Sequence, residues 1–352
     1  MTRHDDVSHA LRQVEAFGGS MGYNADLPEE EQILPSIPEP RHGLIRRVIN
    51  GVIAPQRLKP VEPYVRDLVR GILGQIATGA PVDVVSTLVD PIPARAMTFT
   101  FGIPEEDSDK FRRMSDDMIV GQANIIDGGI GGINPEFTAH VDAIVAARLA
   151  EVDPPDDVLT RLIRADIEGE PLSPTAVRTQ MMILILAGND TTRNLLGNLL
   201  YSLARAPELF AELRRDPSTV ADALIEESLR VDAPVQMLFR TCTRPTAIED
   251  TELESGNVVQ LCLGSANRDS AKFDAPDEFR LDRPNQRDHL AFGVGPHICP
   301  GATLARMEAR VVLEELADRV GAVRLAPDRP PVFREFFVFR GLSQLWLELD
   351  PT

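Results

Sequence analysis

The sequence predicts a mainly α-helical chain with a smaller β region. Three observations carry that prediction. Apolar residues recur at helical spacing early in the chain, as in Val7, Leu11 and Val14 and again in Leu44, Val48 and Val52. A long stretch from Pro174 to Ala206 is apolar almost all round near Met181–Leu186, as in a central buried helix. Later the pattern changes. Val235–Thr241 and Asn257–Leu263 alternate or run apolar between turn signals, and read as strands.

In chain order, Val7–Phe17 reads as a short helix, followed by a loop over Gly18–Pro40 that carries the acidic run Glu29–Glu31. Pro40–Leu58 reads as a helix, locally basic, with His42 and Arg46 four apart on one face. Pro63–Gly79 is amphipathic, and Asp83–Pro104 reads as a buried helix broken at its prolines. Glu105–Ile119 and Pro135–Val152 are expected helices separated by the turn DGGIGGIN, and Asp156–Gly169 continues helical. Ser173 and Pro174 supply an N-cap and a first-turn proline for the long helix. Asp216–Val231 is a helix holding Glu227 and Arg230, and Ala302–Val320 is another. The C-terminal FFVFRGLSQLWLEL reads as a hairpin.

Composition narrows the class. With 352 residues, 43% hydrophobic and 26% charged, the chain has the make-up of an ordinary soluble globular protein, read as a single domain over 1–352. A net charge of −18 argues against nucleic acid and anionic membranes as partners. Three cysteines, Cys242, Cys262 and Cys299, form no disulfide framework and fit a reducing cytoplasm. The N-terminus lacks a signal-peptide core, and no apolar run approaches the roughly 20 residues that span a bilayer.

Two stretches carry chemistry. Ala291–Gly301, AFGVGPHICPG, sets Cys299 in a glycine-rich loop that runs into a helix, where the dipole favours a thiolate. In isolation such a cysteine is more often an inert buried thiol. The loop lacks a phosphate-loop lysine, and His297 and Cys299 lack the companions of a zinc site. The second stretch is Gly188, Asn189, Asp190, Thr191 and Thr192, set inside the long apolar helix. Glycine costs about 1 kcal/mol there, and buried polar groups need partners. The segment is either a kink with threonines bonded back to carbonyls, or an acid–alcohol pair beside a groove that holds water. His42 and Arg46 are likewise either a solvated basic face or an anion site. Glu227 and Arg230 alone read as no more than a salt bridge.

The string F-G-x-G-x-H-x-C-x-G matches, at every fixed position, the cysteine-ligand loop of the cytochrome P450 family of haem-thiolate monooxygenases, and the chain resembles that family in bacterial, soluble form. A-G-N-D-T-T resembles its oxygen-activation motif, and His42–Arg46 its H-x-x-x-R segment. Glu227–Arg230 lies where the family has its buried E-x-x-R, and Ala266-N-R-D also matches. The resemblance implies a cytochrome P450-like fold lacking the usual N-terminal helix and first sheet strands. It implies haem b with Cys299 as the metal ligand. His42, Arg46, Arg240 and His297 would pair with the propionates, and Phe292, Gly293 and Gly301 would complete the cofactor site. Asp190 would serve the proton route, Thr191 would support oxygen activation, and Gly188 would leave room for O₂. Glu227, Arg230 and Arg283 would form a structural lock. Val235, Leu238, Val338 and Phe339 would touch substrate, with the loops Gly18–Pro40 and Asp127–Pro135 contributing. The implied reaction inserts one oxygen atom of O₂ into a small hydrophobic substrate. Electrons would come from a ferredoxin and its reductase, docking near Arg306 and Arg310. A haem-thiolate binding or sensing protein and a peroxide-driven haem enzyme are the alternatives. The acid–alcohol pair argues against the second.

Overall fold

The computed structural model describes residues 1–18, 27–122 and 135–352. The turn DGGIGGIN and residues 19–26 of the first expected loop lie outside the described residues, as does most of the expected contact loop at 127–135.

The helices follow the apolar periods. They are α1 (His4–Arg12), α2 (Arg41–Val52), α3 (Val61–Ile76), α4 (Pro91–Phe101), α5 (Ser108–Gln122), α6 (Pro135–Ala150) and α7 (Val158–Ile163), then the long α8 (Pro174–Arg205). After it come α9 (Pro207–Arg215), α10 (Pro217–Val231), the single turn α11 (Leu263–Ala266) and α12 (Ala302–Arg319). Helix α8 packs against α4, α5, α6, α9, α10 and α12, which is why it is apolar on nearly every side. Its start is set by Ser173, whose Oγ accepts from the Ala176 N–H at 3.1 Å. Asp157 and Asp216 cap α7 and α10 in the same way, each cap contributing about 1 kcal/mol. In the expected Asp83–Pro104 helix the chain first makes a π-helical turn, Val85–Val89. It then restarts as α4 with Pro91 in the first turn, where a missing N–H leaves no bond unmade.

The β region is divided among small sheets. Leu238–Cys242 pairs antiparallel with Phe17–Gly18 on one side and Val258–Leu261 on the other. Trp346–Pro351 lies between Pro81–Asp83 and Val320–Leu325.

Two expectations are corrected. The helix expected over Asp156–Gly169 stops at Ile163, and Asp166–Ile167 folds back on Glu170–Pro171. The turn needs positive φ at Glu168 (59°) and Gly169 (91°), which a helix cannot supply. The C-terminal segment is not a hairpin on itself: Leu342–Gln344 pairs with Val332–Phe333, and Trp346–Pro351 joins a different sheet.

The buried apolar residues form two clusters. The larger gathers the helices around α8 together with Leu342, Leu345, Leu347 and Leu349. The smaller gathers Val7, Ala10 and Leu11 of α1 with Phe17, Val259, Leu261, Leu263 and Leu290.

Three charged side chains lock α10 to the segment before the cysteine loop. Glu227 accepts from Arg230 Nε at 3.0 Å and Nη2 at 2.8 Å, and from Arg283 Nε at 3.0 Å. The arginines spend their other N–H groups on the carbonyls of Asn267, Pro276, Ala275 and Glu278. All three side chains are at most 2% exposed. A buried charge set is tolerated only with this degree of pairing.

Glu308 on α12 is the opposite case. Both carboxylate oxygens are buried without a hydrogen-bond partner, and burial pushes its pKa up to about 8. The folded state therefore keeps a proton that the unfolded chain releases above its ordinary value of 4.5. The cost of this one group is absent at acid pH and grows as pH rises through that window. Thermal melts of E308Q are expected to lose this slope and exceed wild type at alkaline pH. A wild-type slope retained in E308Q would refute the assignment.

Candidate active site

The cysteine loop is closed by one backbone bond, the Cys299 N–H donating to the Phe292 carbonyl at 2.8 Å. Its glycines are required by geometry. Gly293 and Gly295 have φ of 67° and 79°, and a Cβ at Gly295 would lie 3.0 Å from the Leu11 carbonyl of α1. Thus α1 roofs the loop. As a residue Cys299 is half-buried, with its sulfur the more enclosed part. Burial pushes its pKa up, while N–H groups of Gly301 and Ala302 and the charges of Arg46 and Arg306 pull it down. The expected thiolate preference is therefore outweighed by burial in the free chain. A metal cation would supply the missing charge, since a coordinating thiol is deprotonated outright.

Cys299 faces a cavity of ≈ 320 Å³ between the loop and α8. The loop side is Phe292, Gly293, His297, Cys299 and Gly301; the α8 side is Ala187, Gly188, Thr191, Thr192 and Leu195. Met97, Phe101, Leu229, Val235 and Leu238 enclose it with apolar surface, and Leu11 and Leu263 close it from the smaller core cluster. Such an apolar space with few polar groups is the usual form of a small-molecule site.

Within α8, the Thr191 hydroxyl donates to the Ala187 carbonyl at 2.7 Å. That is the back-bonded threonine, yet it also lines the cavity. At Gly188 the Met97 side chain packs in, its Sδ 2.6 Å from where a Cβ would stand. Asp190 does not line the cavity. Its buried carboxylate accepts from Arg193 at 2.7 Å, Asn194 at 3.3 Å and Arg334. Arg193 and Arg334 also reach Asp116 at 2.8 and 3.3 Å, Arg193 reaches Asp90, and Arg112 pairs with Asp116 and Asp90. Three aspartates and three arginines thus lead from the groove toward the partly exposed side chain of Asp116.

A basic cluster borders the loop. The rings of His42 and His297 stack at 4.1 Å, and the His42 Nδ1 lies 2.8 Å from Glu39. Burial, then the charges of His42, Arg240 and Arg46, push the His297 imidazole down to about 4. Arg46 donates to the carbonyl of Ile298, next to Cys299, and Arg240 lines the cavity. His42 Nε2 is buried and unpartnered.

Of the expected contacts, Val235 and Leu238 line the cavity, whereas Val338 and Phe339 do not. The Val338 carbonyl accepts from Gln236 N at 2.8 Å, and Phe339 bridges Val235. Arg306 and Arg310 are already paired within the chain, with Glu226 at 2.6 Å and Asp222 at 2.7 Å. Sequence reasoning missed Leu11, Met97, Arg193, Arg334 and Glu226. Only the helical period gave a signal for Leu11, and none marked the others.

An apolar cavity with one thiol in its wall and a basic cluster at its edge suits a flat, largely apolar ligand that carries negative charge. A family model described as Cytochrome P450 matches residues 133–319. The steroid C26-monooxygenase of Mycobacterium tuberculosis is 32% identical over 326 residues, covering 92% of this chain and 81% of the relative. The erythromycin C-12 hydroxylase of Saccharopolyspora erythraea is 32% identical over 334 residues, covering 93% and 82%. CYP109E1 from Bacillus megaterium in complex with testosterone superposes at a TM-score of 0.86 with 29% identity, covering 99% and 92%. The chain belongs to the cytochrome P450 family. It is an oxidoreductase of the monooxygenase type whose cofactor is haem b and whose reaction uses O₂ and a small-molecule substrate. The residues present fit that group: a thiol in the cavity wall, an orphaned buried imidazole nitrogen and the basic side chains of Arg46 and Arg240 at the cavity's edge. Among the described residues, no helix is long and apolar enough to cross a membrane.

Proposed function

We propose that this chain is one haem domain that hydroxylates or epoxidises a bulky hydrophobic molecule, with electrons from a ferredoxin and its reductase. The observation that carries the reading is the cavity with Cys299 on one wall and Thr191 on the other. When bound, haem b supplies the oxygen-activating chemistry, and a thiolate ligand favours O–O cleavage. The chain supplies the rest. Cys299 is the ligand, with the N–H groups of Gly301 and Ala302 steadying its charge. His42, Arg46, Arg240 and His297 form the propionate cradle, and the open backbone of Phe292, Gly293 and Gly301 lets the macrocycle lie close.

Thr191 holds a hydroxyl at the cavity, and Asp190 delivers protons to it once its carboxylate lets go of Arg334 or Arg193. Asp116 is the outer end of that route, and Gly188 provides the room for O₂ when the Met97 side chain moves aside. Val235 and Leu238 contact substrate, while Val338 and Phe339 act only through the backbone they hold. The lock of Glu227, Arg230 and Arg283 supports the loop.

Relatives named for a steroid and for erythromycin support a rigid polycyclic or macrocyclic substrate class. These 352 residues hold three cysteines, one short of the four thiolates of a common iron–sulfur cluster, which favours a separate electron donor. The test is turnover of the reconstituted protein with a ferredoxin system, labelled dioxygen and a panel of steroids and macrolides. One labelled oxygen atom in the product is expected. Tight substrate binding with no labelled product across the panel would overturn the reading in favour of a sensor.

A further inference from the structure

Glu226 is the neighbour of Glu227 on α10, but it points to different partners. It is 2% exposed, and it receives the Arg306 guanidinium side-on, Nε to Oε1 at 2.6 Å and Nη2 to Oε2 at 2.9 Å. Its Oε2 also lies 3.1 Å from His289 Nε2. The other ring nitrogen, His289 Nδ1, accepts from the Ala291 N–H at 3.2 Å, so the proton of the neutral ring sits on Nε2 and is donated to Glu226.

Both arms of this carboxylate end on the cysteine loop. His289 holds the backbone at Ala291. Arg306 lies over the ring of Phe292 with its Cζ 4.5 Å from the centroid, a cation–π contact, and the Phe292 carbonyl accepts the Cys299 N–H. Arg306 comes from the second turn of α12 and Glu226 from α10, so the contact also fixes how α12 sits behind the sulfur. A single buried charge thus places a cation on the aromatic residue beside the ligand and neutralises that cation at the same time.

We propose that Glu226 is a positioning residue for the haem ligand: through Arg306 and His289 it fixes residues 289–292 and the balance of charge behind Cys299, and so sets the reduction potential of the iron. The inference rests on Cys299 being the ligand. Its sign follows from electrostatics. Removing the Glu226 charge leaves Arg306 uncompensated beside the site and favours the ferrous state. Removing the Arg306 charge leaves Glu226 uncompensated and favours the ferric state. A purely structural role would move both variants the same way or not at all.

The experiment is an equilibrium redox titration of haem-loaded wild type, E226Q, R306Q and the double variant, alongside the ferrous carbon monoxide spectrum of each. The ferric/ferrous equilibrium is expected to shift about tenfold toward ferrous in E226Q and about tenfold toward ferric in R306Q, or 59 mV each for one electron. The double variant should return close to wild type, since the two residues share one interaction. If E226Q fails to load haem, R306Q and R306K decide. A shift in R306Q that R306K largely reverses supports the proposal, and equal potentials in those two overturn it. Shifts of the same sign in E226Q and R306Q, or shifts under about threefold with the red-shifted Soret band intact, also overturn it. A wild-type protein without that band would refute the Cys299 ligand itself.

Discussion

Cys299→Ser is expected to abolish the red-shifted Soret band of the ferrous carbon monoxide complex and reduce turnover to that of free haem. The change removes one sulfur from a cavity wall, where the Cβ position of Gly301 is 3.9 Å from it. The chain should therefore fold, and circular dichroism should match wild type. What is lost is the thiolate, because a serine hydroxyl cannot be deprotonated at neutral pH at comparable cost. The Gly301 and Ala302 N–H groups and the Arg46 and Arg306 charges, which favour a negative sulfur, would face a neutral oxygen instead. A folded C299S protein that keeps the band would mean that Cys242 or Cys262 is the ligand. Cys242 is buried in the smaller core cluster and does not line the cavity.

Thr191→Ala is expected to separate electron consumption from product formation. NADH oxidation through the ferredoxin system should continue, hydrogen peroxide should accumulate, and the yield of product per electron pair should fall about 10²-fold, the lower end for loss of a positioned proton-transfer group. The fold should be unaffected, since the Thr191 hydroxyl only returns to the Ala187 carbonyl of its own helix. Thr191→Ser should restore most of the coupling because it keeps the oxygen. Unchanged coupling in T191A would favour a binding or sensing role. The measurement is the ratio of peroxide to product at fixed electron input.

The sequence made legible what is local. A cysteine in a glycine-rich loop before a helix, and an acid–alcohol pair in an otherwise apolar helix, are visible as violations of local pattern; Cys299 and Thr191 line the cavity, and Asp190 lies behind it. Helix periods located most of the elements that surround it, among them α2 to α6, α8, α10 and α12, with ends displaced by a few residues, while α9 and the single turn α11 left no period that was read. The parts that stayed hidden are long-range. Asp190 meets Arg334 across 144 positions, and Glu226 meets Arg306 across 80. Neither pairing leaves a spacing that a sequence pattern can register. The same reason hid the division of the C-terminal strands between two sheets, because pairing partners are chosen by tertiary packing and not by the strand itself. Asp156–Gly169 misled through composition. Its apolar residues suit a helix, but α7 stops at Ile163 and the following residues fold into a two-stranded turn with positive φ at Glu168 and Gly169.

The cavity lies along the seam between the two apolar clusters. Leu11 and Leu263 on one bank belong to the smaller, and Met97, Phe101, Leu195 and Leu229 on the other belong to the larger. A macrocycle held there would touch both banks and add to the links that α10 already makes to the smaller cluster's segment through Arg230 and Glu226. A ligand bound only by the folded state stabilises it by mass action. Here that stabilisation is expected to couple α1 and its neighbouring strands to the helical body, so that the unfolding transition sharpens as haem content rises.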